Sequence, residues 1–371
     1  MIYLDNAATS YPKPERVLRE LDRCVRHYCG NPGRSSHTLS LLASEKVYEA
    51  RERIADLLGY SYPERVVFTL NATHALNLAI KTSITDSCHV ITSDIEHNSV
   101  IRPLEKLKRT IGISYSSFKS GVNIEAEINR LIRDDTKFII STLQSNVSGE
   151  KVLLSELSKA AKQHNLKLIV DASQAIGHED INIKDTPCDI LCAPGHKGLF
   201  GIQGSGVMVI TDEDIRDSFI EGGSGSDSMS VNMPEMLPER YEAGTVATPA
   251  IATLSEGVGF ISEVGISEIK RKLSALGDML YDRLSEIKSA KIYGGFHSGI
   301  ISFNIDGVPA DALAKRLDRA GICVRAGLHC APSAHKKLGT LSCGTVRVSL
   351  SYLNDKRDIE GFYKELRTIL Q

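Results

Sequence analysis

The chain has 371 residues, 42% of them hydrophobic and 24% charged, with a formal net charge of −2. That length suits one large and one smaller domain with a sizeable core. Near-neutral charge gives no electrostatic case for a nucleic-acid or anionic-membrane partner, so neither is expected.

The N-terminus reads MIYLDNAATS, with Asp5 and Asn6 where a signal peptide would need an apolar core. No run of about 18 apolar residues follows, so no transmembrane helix is expected and a cytoplasmic enzyme is the default. Val47, Ala50, Ile54, Leu57 and Leu58 form a helical stripe that Gly59 ends as a C-cap. Val66–Leu70, His89–Thr92, Lys137–Ser141, Leu166–Val170, Ile190–Ala193 and Val207–Ile210 read as strands. Amphipathic stretches lie between several of them, and Ser155 is expected to cap a helix running towards His164. This alternation predicts a parallel α/β sheet covered on both faces. Residues 222–238 are rich in Gly, Ser and Pro and read as a loop. A long helical stretch from Leu254 to Leu284 then leads into strands near Ile300–Asn304 and Thr345–Leu350. The expected division is a large domain of residues 16–250 and a small domain of residues 1–15 and 251–371.

Ligands of such sheets sit at the carboxyl ends of the strands, and three post-strand segments carry chemistry there. LIVDASQAIGH places Asp171 at a strand end, LCAPGHKGLFGIQGSG places His196 and Lys197 before a glycine-rich turn, and SDIEHNSV places His97. A lysine amine can form an imine with an aldehyde cofactor. A carboxylate can keep a pyridinium nitrogen protonated, which makes the ring an electron sink. An imidazole can lie flat on that ring, and glycine-rich turns and helix N-termini offer N–H groups to a phosphate. Singly, a strand-end Asp reads as a turn residue and a Lys as a surface charge. At one sheet edge together they describe pyridoxal 5′-phosphate.

The motifs YLDNAATS, EHNSV, SNVSGE, DASQAIGH, GHKG, YEAGT and RAGLHC stand in this order along the chain. By them the sequence resembles, nearly end to end, the class V aminotransferase-like, fold-type I pyridoxal-phosphate enzymes. Within these it looks like the group II, or Suf-type, cysteine desulfurases and selenocysteine lyases. The resemblance implies an α/β fold, with a large domain on a mainly parallel, seven-stranded sheet and a smaller α+β C-terminal domain. It implies that Lys197 holds the cofactor and that Asp171 meets its ring nitrogen. Gln174 would bond the phenolic oxygen and His97 would stack on the ring. Ala72, Thr73 and His196 would hold the phosphate, and Thr245 would reach it from the other subunit of a homodimer. Asn146 and Arg347 would bind the substrate carboxylate, a role that the planar fork of Arg347 suits on physical grounds. Two departures stand out. Pro194 replaces a serine two residues before His196, so one phosphate contact is expected to be lost or replaced. His74 follows Thr73 where the family often has Glu, adding an imidazole near the phosphate.

Eight cysteines occur, Cys24, Cys29, Cys88, Cys188, Cys192, Cys323, Cys330 and Cys343. Without a signal segment they read as reduced thiols, and their spacing lacks the C-x2-C repeat of a zinc site, so no metal is expected. Cys330 discriminates among reactions, because it sits in VRAGLHCAP, where related desulfurases carry the nucleophile. Arg325 and His329 give it a cationic neighbourhood that favours the thiolate, and a Gly-containing loop is expected to move it towards the substrate. The short RAGLHC loop also resembles group II. The expected reaction converts L-cysteine to L-alanine and passes the sulfur, through a Cys330 persulfide, to a protein acceptor. L-selenocysteine is the alternative substrate, and an aminotransferase or epimerase of the same fold is a more distant one.

Overall fold

Strands made of Val, Ile and Leu can bury both faces only between two layers of helices, and that requirement sets the architecture. The computed structural model describes residues 1–33, 35–212, 217–226, 228–295 and 297–371. After a short β1 (Ile2–Tyr3) come helices α1 (Glu15–His27) and α2 (Thr38–Leu57). The central elements are β2 (Val66–Thr69), α3 (Ala72–Ser83), β3 (His89–Ser93), α4 (Asn98–Ile111), β4 (Ser114–Phe118), α5 (Ile124–Leu131) and β5 (Thr136–Thr142). They continue with α6 (Leu154–Gln163), β6 (Lys167–Asp171), β7 (Ile190–Pro194) and β8 (Gly206–Ile210). The rest comprises α7 (Thr248–Val264), α8 (Ile266–Ser285), β9 (Ala290–Tyr293), β10 (Ile300–Ile305), α9 (Ala310–Arg319), β11 (Ile322–Cys323), β12 (Arg325–Gly327), α10 (Pro332–Leu338), β13 (Thr345–Ser349) and α11 (Lys356–Leu370).

The central sheet runs β2-β8-β7-β6-β5-β3-β4. Its pairs are parallel from β4 to β7, and β8 lies antiparallel to both neighbours. The mainly parallel, seven-stranded sheet is thus present. Successive strand residues feed opposite layers. Val67, Val90 and Ile140 pack with α3 and α4, while Phe68, Ile91 and Ile139 pack with α2, α5, α6 and α7. Each of the six expected strands appears, with ends moved by a residue or two. β4 was not expected, because SYSSF on the sheet edge sends only Phe118 fully into the core.

Other local expectations fare differently. The chain leaves α2 through Gly59, which adopts φ +64° as a left-handed terminator requires. Ser155 does not cap a helix. α6 begins one residue earlier, after Leu153, with no side-chain cap, because burying Leu154 and Leu157 decides where it starts. The stretch from Leu254 to Leu284 is not one helix but α7 and α8, broken at Gly265 with φ +86°. The described residues of 222–238 form no helix or strand; Asp227 lies outside the described residues. Among the described residues no helix is long and apolar enough to cross a membrane.

A second, antiparallel sheet, β12-β13-β10-β9, carries α8, α9 and α11, and β1 pairs with β11 beside it. One apolar cluster runs through both sheets. α7 lies against the segment that follows Lys197, and Gly257 makes the approach possible. A Cβ there would stand 2.0 Å from the Leu199 carbonyl oxygen, whereas at Gly259 it would meet only the far ends of Arg53 and Arg16. Helix propensity alone favours alanine over glycine by about 1 kcal/mol at either site. Denaturant unfolding should instead find Gly257→Ala destabilised by about 1–3 kcal/mol, through overpacking, and Gly259→Ala unchanged or more stable.

Candidate active site

The C-terminal ends of β3, β5, β6 and β7 and the N-termini of α3 and α4 converge on one cleft. Ala72, Thr73, His97, Asn146, Asp171, Gln174, His196 and Lys197 all line it. Asp171 is the last residue of β6 and is buried; one carboxylate oxygen accepts from the Ser173 N–H at 2.9 Å, leaving the other for a ligand. Lys197 follows β7 by three residues. Burial draws its amine down to about 8 against the opposing pull of Asp171, so a useful fraction is neutral and nucleophilic near pH 7.

His97 is the N-cap of α4, and its Nδ1 accepts from the Ser99 N–H at 3.1 Å. The neutral ring therefore carries its proton on Nε2. Burial lowers this imidazole to about 4, with Asp171 acting in the opposite sense. The Ser99 hydroxyl lies 2.9 Å from His97 Nδ1 and 2.8 Å from the Thr73 hydroxyl. Asn71 caps α3 through the His74 N–H, and Ala72 and Thr73 of the first turn, whose N–H groups have no partner within the helix, line the cleft. Beside them His196 is pushed by burial to about 4, and its Nδ1 is buried without a partner among the described residues. His74 stands one residue beyond Thr73, with its Nε2 buried and unpartnered among the described residues. Its Nδ1 accepts from the Leu70 N–H at 3.3 Å, and it does not line the cleft. Pro194 does line it.

The N-terminal segment holds several of these groups. Gln174 donates one amide N–H to the Ala7 carbonyl at 2.9 Å, which leaves its second N–H free. The His196 carbonyl, one peptide before Lys197, receives four donors: the Ser10 N–H at 3.1 Å, the hydroxyls of Thr9 and Ser10 at 3.1 Å, and the Lys13 amine at 2.9 Å. Arg347, on β13, is fully buried. Its Nη2 donates to Asp5 Oδ1 at 2.6 Å and its Nη1 to the Asn146 carbonyl at 2.8 Å, and its Nε is unpartnered among the described residues. Asp5 and Ser99 lie within the YLDNAATS and EHNSV motifs, and neither carries a local signal of these contacts.

All eight cysteines are free. Among the described residues no three His, Cys, Asp or Glu side chains gather as a metal site. Burial raises the Cys24 thiol to about 11 and Cys188 to about 12, and lifts Cys192 far up. Cys330 is exposed, with Arg325 Nη2 3.9 Å from its sulfur. Its backbone is docked at the cleft: the Asn98 N–H donates to the Cys330 carbonyl at 2.8 Å, and the Asn146 amide to the His329 carbonyl at 2.7 Å. Thr245 is exposed and does not line the cleft of its own chain.

Beneath the cleft, Glu96 is fully buried, and its Oε1 accepts from the Thr142 N–H at 2.9 Å, which ties the ends of β3 and β5. Burial raises this acid from 4.5 to about 8, so it is protonated in the fold at neutral pH. The unfolded chain releases that proton from about pH 4.5 upward while the folded chain keeps it until about 8. The contribution of Glu96 to stability is therefore complete below pH 4.5 and declines as pH rises to 8. Glu96→Gln should flatten that decline, so that in denaturant unfolding it gains on the wild type at pH 8 compared with pH 4.5.

The aminotransferase class-V family profile matches residues 2–362. A protein of Methanothermobacter thermautotrophicus named as a probable cysteine desulfurase is 31% identical, over 99% of this chain and 94% of its own. A cysteine desulfurase of Haloferax volcanii is 29% identical over 97% and 87%. The apo structure of a cysteine desulfurase from Thermococcus onnurineus matches with a TM-score of 0.91 at 31% identity, covering 99% of this chain and 94% of that one. A cysteine desulfurase from Escherichia coli matches at 0.90 with 23% identity over 99% and 94%, a likeness of fold. With the family profile and a 31%-identical relative both spanning nearly its whole length, the chain belongs to the aminotransferase class-V family.

Proposed function

We infer that the chain is a pyridoxal-phosphate-dependent cysteine desulfurase of the group II type, converting L-cysteine to L-alanine and holding the sulfur on Cys330 as a persulfide. One observation carries the reading beyond the family. Of the eight thiols, Cys330 combines exposure, a guanidinium at 3.9 Å and a backbone bonded to two residues of the cleft rim, Asn98 and Asn146.

The donor set fits the cofactor. The unpartnered His196 Nδ1 and the first-turn N–H groups of α3 suit a phosphate, and the free oxygen of Asp171 suits a protonated ring nitrogen. The spare Gln174 N–H suits a phenolate. When bound, pyridoxal phosphate supplies an aldehyde carbon for imine formation and a ring that accepts the electron pair left by α-deprotonation.

The chain's own groups do the rest. With the two ends of its fork taken by Asp5 and the Asn146 carbonyl, Arg347 has its Nε–H left to offer a substrate carboxylate, and Asn146 lines the cleft. Asp171 keeps the ring nitrogen protonated. The Lys197 amine, pulled down to about 8 by burial, takes and returns the α-proton. His97, neutral with its proton on Nε2, would face the ring and supply the proton that Cβ gains. The Cys330 thiolate attacks the substrate sulfur. The S–S bond forms as the Cβ–S bond breaks, the bonding pair stays on Cβ, and Cβ gains a proton to become the methyl of alanine.

Exposed Thr245 supports a homodimer in which it completes the neighbour's phosphate site. Eight free thiols support a reducing, cytoplasmic setting, and the persulfide is passed to a protein acceptor.

The decisive assay adds L-cysteine and a reductant to the yellow protein and measures alanine and sulfide together. Equal yields from the wild type, and a Cys330→Ala variant that keeps the colour but makes almost no alanine, are expected. A variant as active as the wild type overturns the role of Cys330, and activity confined to L-selenocysteine would make the chain a selenocysteine lyase. In the same assay Arg347→Lys, which loses a charge-assisted hydrogen bond to the carboxylate, should raise KM roughly 10- to 100-fold.

A further inference from the structure

The turn that presents Cys330 has an unfavourable backbone. His329 and Cys330 adopt φ +51° and +56° in succession, the left-handed region that side-chain-bearing residues enter only at a cost. The Asn146 and Asn98 bonds fix the two carbonyls of this turn, and the Ala331 N–H closes it on the Leu328 carbonyl at 2.9 Å. A further restraint comes from below. His329 is 3% exposed, and its Nδ1 lies 3.2 Å from Nε2 of His335, a fully buried residue of α10. The two rings are near-coplanar, 16° apart. His335 Nδ1 in turn lies 2.7 Å from the Thr340 hydroxyl, and His329 Nε2 lies 3.4 Å from the Arg325 carbonyl.

The direction of these bonds follows from their ends. A carbonyl only accepts, so His329 Nε2 carries hydrogen and, in the neutral ring, its Nδ1 accepts. His335 must then donate from Nε2 and accept at Nδ1 from the Thr340 O–H. Burial pushes His329 down to about 3 and lowers His335 as well, so both rings are neutral and the chain of bonds has one polarity. A proton added to His329 would set two N–H groups against each other.

We propose that His335 is a positioning residue, which through this one-way chain from Thr340 to His329 fixes the left-handed turn and so aims the Cys330 thiol at the substrate sulfur. The proposal rests on the reading of Cys330 as the sulfur acceptor.

The test uses the holoenzyme and three variants: His335→Phe, which keeps bulk but breaks the chain; His335→Gln, which offers a donor and an acceptor; and the milder Thr340→Val. Bound-cofactor absorbance, its change on titration with L-cysteine, and single-turnover alanine formation per bound cofactor are measured for each. Cysteine binding should stay within about twofold of the wild type, because no substrate contact changes. The single-turnover rate should fall about 10- to 100-fold in His335→Phe, as misaligned nucleophiles do, with a smaller fall in Thr340→Val and partial recovery in His335→Gln. A filler role for His335 predicts fewer yellow sites with an unchanged rate per site, and that result overturns the proposal. If His335→Phe does not fold, Thr340→Val decides: a wild-type rate there counts against the chain. Cys330→Ala is run alongside. If it turns over normally, the desulfurase reading of Cys330 fails and the positioning role with it. If it is inert while His335→Phe or Thr340→Val runs at the wild-type rate, the positioning role alone fails.

Discussion

A guanidinium with no exposed surface cannot persist without a counter-charge, and Arg347 is such a group. Its partner is Asp5, 342 residues earlier, so the N-terminal segment must lie along the edge of β13. The backbone completes the seam: the Asn6 N–H donates to the Ser349 carbonyl at 3.2 Å, and the Ala7 N–H to the Ser349 hydroxyl at 2.9 Å. Once residues 5–7 are fixed, residues 7–13 fall against Gln174 and the His196 carbonyl. One buried charge pair thus links the smaller sheet to the lysine loop of the larger one. It also keeps the fork of Arg347 oriented while one donor stays unused.

The same economy of solvent governs protonation. Burial makes His97 and His196 neutral near pH 7 and draws Lys197 down to about 8, so the imidazoles stand in their proton-accepting form and a fraction of the amine joins them. Burial also separates the thiols. Cys24, Cys188 and Cys192 are raised out of the thiolate range, whereas Cys330 meets solvent and a guanidinium. Position in the fold, not the number of cysteines, decides which sulfur can be a nucleophile.

The sheet was legible because each of its inner strands is a short apolar run that can be nothing else once both faces are covered. β4 escaped notice, since an edge strand with one core side chain carries no such signal. The helix break at Gly265 was missed because apolar periodicity continues through it, and only a backbone φ of +86° records the turn. In the cleft, Asp171, Lys197 and His97 announce themselves by standing at strand ends. The roles of Thr245 and Asn146 came from family likeness and not from spacing. Asp5, Ser99 and His335 act through partners that no local pattern reveals: Asp5 through a residue near the far end of the chain, Ser99 by joining the cap of α4 to the first turn of α3, His335 through a ring in the loop before it. The imidazole of His74 looked close to the phosphate in sequence, yet it serves the backbone at Leu70.

The Cys330 loop combines a glycine hinge with several anchoring bonds. A glycine before the nucleophile suggested a loop that swings, and Gly327 does adopt φ +108°. Beyond it, however, the turn is bonded at His329 to Asn146, at Cys330 to Asn98 and through the His329 ring to α10. α10 is itself clamped to the large sheet, where the Lys337 amine meets Glu150 at 2.6 Å and the Ser120 hydroxyl at 2.7 Å. A segment held at so many points has little reach, and releasing it breaks several bonds at once. The thiol itself stands exposed beside Arg325.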